Sequence, residues 1–100
     1  MSPTKRLRRL NSAAIEAINA APHLARLQPK MVGYRLYLVE FCYHTMRYIE
    51  REYEIVCDGE GYRVKELDGS FDTYYADIAA CVAGIMELIR IKNKHSWPWP

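Results

Sequence analysis

The chain has 100 residues, of which 50% are hydrophobic and 26% charged, with a formal net charge of +2. This is ordinary for one soluble globular domain large enough to bury a modest core, and it excludes disordered and collagen-like classes. Three cysteines, Cys42, Cys57 and Cys81, are odd in number and lack a framework spacing, which excludes a disulfide scaffold and points to reduced thiols in the cytoplasm.

The charge is strongly segregated. Seven bases and one acid precede Leu36, four bases and eleven acids lie between Leu36 and Ile89, and three bases follow. Ser2 and Pro3 read as an N-cap followed by proline at the first helical position. Leu7, Leu10, Ala14, Ala17, Ile18 and Ala21 then share one face, predicting a helix over about Thr4 to Ala20; Asn11 or Ser12 could instead cap a shorter one. Asn11, Ser12, Glu16 and Asn19 interrupt any signal-peptide core behind the Lys5–Arg9 cluster. Pro22 and Pro29 bracket a short linker or helical turn.

Residues 34–57 admit two readings. Leu38, Cys42, Thr45, Ile49 and Tyr53 fit a helical face, predicting a helix over 34–50; the rival reading extends 34–42 as a third strand. Residues 52–57 and 61–67 alternate on either side of Asp58-Gly59-Glu60-Gly61, the pattern of a β-hairpin. A turn at Asp68-Gly69-Ser70 leads to a final helix, with Asp72 or Thr73 as its cap and Tyr74, Ile78, Cys81, Ile85, Leu88 and Ile89 on its buried face. The fold expected is α+β: a small single domain over 1–100, with N-terminal helices, an antiparallel β-hairpin (or three-stranded sheet) and a long C-terminal helix packed on it.

That last helix is apolar on too many sides. Ala76, Ala80, Ala83 and Gly84 form a second, small-residue stripe, which predicts self-association as a homodimer through close helix approach. No apolar run is long enough to span a membrane.

Chemistry-bearing patterns are sparse. Cys42 and His44 are the one close Cys/His pair, but Cys57, Cys81, His23 and His95 complete no paired zinc spacing, so neither metal nor cofactor is expected. No glycine-rich oxyanion turn follows any cysteine, and the acidic Asp58–Gly61 turn cannot cradle a phosphate, so no enzyme is expected. Lys5, Arg6, Arg8 and Arg9 form a basic cluster suited to nucleic-acid phosphates. Glu50, Glu52 and Glu54 alternate, so on a strand their carboxylates line one face, and Asp58 and Glu60 prolong the row. In the tail Trp97 and Trp99 alternate with Pro98 and Pro100, which forbid a helix; the rings either fold back over an apolar gap or dock a partner.

From Glu52 onward the order strand, DGEGYRV, strand, DGSF, helix resembles the core of HicB-type antitoxins. The proline–glycine turn before that family's helix is missing and the basic first helix has no counterpart, so the family is not adopted. In size and texture the chain is similar to small accessory proteins of phages and mobile elements. The function expected is non-catalytic protein binding, as a regulator, adaptor or inhibitor, through Tyr37, Tyr48, Glu50, Glu52, Tyr53, Glu54, Asp58, Glu60, Trp97 and Trp99. The alternative is a nucleic-acid-binding regulator using Lys5, Arg6, Arg8 and Arg9.

Overall fold

A computed structural model describes residues 2–27, 29–42 and 44–96. Helix α1 (Pro3–Asn19) begins as its sequence dictates: the Lys5 amide donates to the Ser2 hydroxyl at 3.2 Å and Pro3 occupies the first turn. A 3-10 segment (Pro22–Leu27) leads to strands β1 (Lys30–Val32), β2 (Arg35–Cys42), β3 (Arg47–Asp58), β4 (Gly61–Glu66) and β5 (Asp72–Tyr75), and helix α2 (Ile78–Ser96) follows. The strands form one antiparallel sheet in sequence order, β1-β2-β3-β4-β5. The class is α+β, with more strands than a hairpin or a three-stranded sheet.

The helix expected over 34–50 is not formed. Those residues make β2, a turn and the first part of β3. Leu36 and Leu38 are buried on β2, and Tyr53 and Ile55 on β3, each pair two residues apart. Tyr34, Tyr37, Val39, Tyr48 and Ile49 are also residues that prefer a pleated surface. The helical spacing was a coincidence of parity: steps of four keep a strand residue on its own face, and the turn absorbs the remaining offset.

The last helix starts later than its sequence suggests. Asp72 and Thr73 belong to β5, and Asp77 is the cap, its carboxylate accepting from the Ala80 amide at 2.8 Å. Ala76 therefore lies outside the helix.

Both helices cover the same side of the sheet. The core joins Leu10 and Ala14 of α1 and Cys81, Ile85, Leu88 and Ile89 of α2 to Leu36, Leu38, Tyr53, Ile55, Tyr62 and Val64 of β2–β4. Among the described residues no helix covers the opposite side of the sheet, to which the alternate strand side chains point.

Two turns need glycine for its backbone freedom. Gly33 (φ 62°) and Gly59 (φ 59°) close the tight β1–β2 and β3–β4 hairpins. Gly84 is needed for space instead: a Cβ there would run into the Tyr75 ring. The small-residue stripe is thus divided, with Gly84 filled by the chain's own Tyr75, Ala80 half-buried and Ala83 exposed. Gly84→Val should lower stability by about 1–3 kcal/mol through overpacking. Ala83→Leu should change it by less than about 0.5 kcal/mol. Urea denaturation of the two variants checks both values.

Candidate functional site

Residues of even number on β3 face away from the helices, because Tyr53 and Ile55, of odd number, are buried. Glu50, Glu52 and Glu54 consequently share the open face of the sheet. The strand pairing supplies the expected row with countercharges on both sides. Arg35, Glu54, Lys65 and Asp72 are successive cross-strand partners over β2, β3, β4 and β5, alternating in sign. Glu52 lies opposite Tyr37 and accepts from both the Arg35 guanidinium and the Tyr37 hydroxyl, the latter at 2.9 Å. Those donors hold the Glu52 carboxyl below its usual value of 4.5, and the hydrogen bond to Glu52, then burial and the carboxylate charge, raise Tyr37. Arg63 bridges Asp58 at 2.9 Å and Asp72 at 3.0 Å.

These contacts neutralise most of the face from within. The expectation of a bare carboxylate ladder is thereby corrected for Glu52 and Asp58, both of which are engaged by arginines of the same sheet. What remains uncovered is aromatic and aliphatic. Val32 is 55% exposed, Tyr48 51% and Tyr74 47%, while Tyr37, Val39 and Val56 are half-buried. Tyr74 has Arg63 over its ring at 5.8 Å and Tyr37 has Lys30 at 5.7 Å. Glu60 is exposed in the β3–β4 turn, away from this face's centre.

Tyr53, expected on the working surface, is instead fully buried on the helix side, edge-on to Phe71 with ring centres 6.0 Å apart. The apolar period-two pattern of Tyr53 and Ile55 was the signal that could have placed it there. Its hydroxyl has no hydrogen-bond partner among the described residues. Burial, then the nearby Glu66 and Glu40 carboxylates, push its ionisation upward. Around it lies a charged cluster: Arg51 Nε is 3.4 Å from Glu40 and 4.0 Å from Glu66, and Lys92 Nζ of α2 is 3.3 Å from Glu40.

The basic cluster of α1 is split by the fold. Arg6 turns inward to the β3–β4 hairpin, donating to the Gly59 carbonyl at 2.8 Å and the Gly61 carbonyl at 2.9 Å. Its guanidinium also lies 5.1 Å from the centre of the Tyr62 ring. Lys5, Arg8 and Arg9 are exposed and border a shallow dent with Ser12, Ala13 and Glu16. Arg6 is therefore a structural clamp rather than one of four equivalent phosphate ligands.

The cysteines are dispersed. Cys42 ends β2, Cys57 stands near the end of β3 beside the start of α1, with Sγ 3.6 Å from the Pro3 carbonyl, and Cys81 is buried in α2. Hydrogen bonds from Thr45 lower the Cys42 thiol, whereas burial pushes Cys81 up to about 12. Among the described residues no three His, Cys, Asp or Glu side chains gather as a metal site. Trp97 and Trp99 lie outside the described residues, as does the structure of the tail they occupy. Among the described residues no helix is long and apolar enough to cross a membrane.

No family model, curated protein or solved structure matches the chain. The candidate face stands on its geometry alone.

Replacing Arg6 by Ala should cost about 1–3 kcal/mol, because two charge-assisted hydrogen bonds and a ring contact go. Arg8→Ala should cost less than about 0.5 kcal/mol; thermal or urea unfolding separates them. Glu52 stabilises the fold above its usual 4.5, and this contribution is lost as pH falls through its depressed folded value. Glu52→Gln should therefore lower the urea midpoint at neutral pH and show a smaller loss than the wild type on descending to about pH 3.

Proposed function

We propose that this domain is a non-catalytic protein-binding module, a regulator, adaptor or inhibitor, whose partner seats on the open face of the sheet. One observation carries the reading. Among the described residues the sheet side opposite the helices is uncovered, and it sets exposed Tyr48, Tyr74 and Val32 around the ion pairs Arg35–Glu52, Arg63–Asp58 and Arg63–Asp72. Interfaces draw affinity from rigid aromatic anchors, while flanking polar groups fix register and encounter. Tyrosine serves well here because its ring is stiff and its hydroxyl tolerates water. Glu50 and Glu54 take no ion pair among the described residues, so they supply acidic contacts to a partner's lysines or arginines.

A second reading assigns nucleic-acid binding to α1, supported by the exposure of Lys5, Arg8 and Arg9 along one stretch of helix. Arg6 is committed to the hairpin, which leaves fewer cations for phosphates than the sequence offers.

The two readings separate cleanly in a quantitative affinity capture from the native host. The expected result is a partner retained by wild type and by a Lys5→Ala/Arg8→Ala variant, and lost with Tyr48→Ala/Glu50→Lys. Loss through the α1 changes alone, with duplex binding that collapses between low and moderate salt, would transfer the function to the helix.

A further inference from the structure

The outer strands of the sheet are β1 and β5. Unpaired backbone on an outer strand invites another strand unless the sequence blunts it. β1 is blunted: Pro29, which precedes it, has no N–H to offer, and Lys30 stands at its start. β5 carries neither lysine nor proline and pairs with β4 without a bulge. Its one charge, Asp72, is taken up by Arg63 at 3.0 Å.

The pairing of β5 fixes which of its backbone groups stay open. The Glu66 amide donates to the Phe71 carbonyl at 2.8 Å, so Phe71 and, by alternation, Thr73 and Tyr75 direct their backbone groups to β4. Asp72 and Tyr74 direct theirs the other way, where no strand lies among the described residues. The side chains of Asp72 and Tyr74 belong to the open face. Those of Phe71, Thr73 and Tyr75 belong to the helix side, where Phe71 meets Tyr53 and Tyr75 covers Gly84.

We infer that β5 pairs with β5 of a second copy of this chain, antiparallel across a two-fold axis at Thr73, so that the two sheets become one. In that register Asp72 of one copy stands opposite Tyr74 of the other. Both turn their backbone groups outward, so each such pair exchanges two hydrogen bonds. On the open face a tyrosine then meets a carboxylate already balanced by Arg63. On the helix side the close position at the axis sets Thr73 against Thr73, a favoured cross-strand pair, and Phe71 comes opposite Tyr75 on either side of it. No like charges meet.

The other stretch of unpaired strand lies where β2 and β3 run past the ends of β1 and β4. Two-fold pairing there opposes like charges: Arg47 against Arg51 or Glu50 against Glu50 on β3, and Glu40 against Glu40 on β2. Complementarity therefore selects β5. Pairing through it leaves both open faces uncovered and on one side of the joined sheet, where a repetitive or dimeric partner is held at two places at once. The pairing itself needs no partner on that face.

The contact is short, so the association is weak and governed by concentration. Sedimentation velocity of the full chain should show monomer at low concentration and dimer at high concentration. Thr73→Lys and Thr73→Asp each put like charges face to face at the axis, and each alone should remain monomeric where the wild type is dimeric. An equal mixture of the two should restore the dimer, because opposite charges then meet. If either variant fails to fold by circular dichroism, wild type mixed from isotope-labelled and unlabelled chains decides: a filtered nuclear Overhauser contact should join the Thr73 Hα protons of the two copies. A wild type that stays monomeric up to its solubility limit would overturn the inference. So would undiminished dimer in either charge variant, a mixture of folded variants that stays monomeric, or a dimeric wild type without the Hα contact.

Discussion

The architecture depends on the packing of α2 against the inner face of β2, β3 and β4. Cys81, Ile85, Leu88 and Ile89 meet a sheet surface made of Leu36, Leu38, Tyr53, Ile55 and Val64. Each large apolar side chain so buried contributes about 1.5–3 kcal/mol, which makes this layer the main source of stability in so short a chain. Because strand side chains alternate, apolar residues on the inner face oblige their neighbours to point outward. The open face, with its tyrosines and paired charges, is a direct consequence of that contact. Arg6 then ties the start of α1 to the β3–β4 hairpin, closing that helix onto the core.

The inner face changes character where the apolar surface of α2 runs out. Below that level it is mainly apolar. At its upper margin stand Glu40, Arg51, Glu66 and Lys92, with the buried Tyr53 hydroxyl beside them. Their ion pairs let charged residues sit between helix and sheet without leaving unpaired charge in a low-dielectric site. The cluster lies where β2 and β3 run on beyond β1 and β4, and gives the two ends of β3 different chemistry.

On the outer face, electrostatics works by rows rather than by columns. Glu50, Glu52 and Glu54 form an acidic column along β3, but Arg35 of β2 and Lys65 of β4 are the partners of Glu54, and Arg35 also pairs with Glu52. Arg63 holds Asp58 and Asp72. A surface neutralised in this way has little long-range field to steer an encounter, so recognition falls to the shape and aromatic content of the face.

Much of the framework was legible in the chain itself. Ser2-Pro3 announced α1, the Asp58–Gly61 turn announced the β3–β4 hairpin, and the apolar periodicity of Cys81, Ile85, Leu88 and Ile89 announced α2, because capping, turn geometry and helical spacing are local properties. The α+β class followed from those three elements. Residues 34–50 were misleading because a four-residue step serves a helix and a strand alike; only pairing with neighbours, a non-local contact, decides between them. Tertiary structure also decided the fate of individual side chains that composition treats as equivalent: Tyr53 went inside and Tyr48 outside by strand parity, Arg6 became a clamp while Arg8 stayed in solvent, and Gly84 received Tyr75 instead of another helix. Local sequence determined which elements form. Register and layer order, set by burial summed over the whole chain, determined which of their faces could meet another molecule.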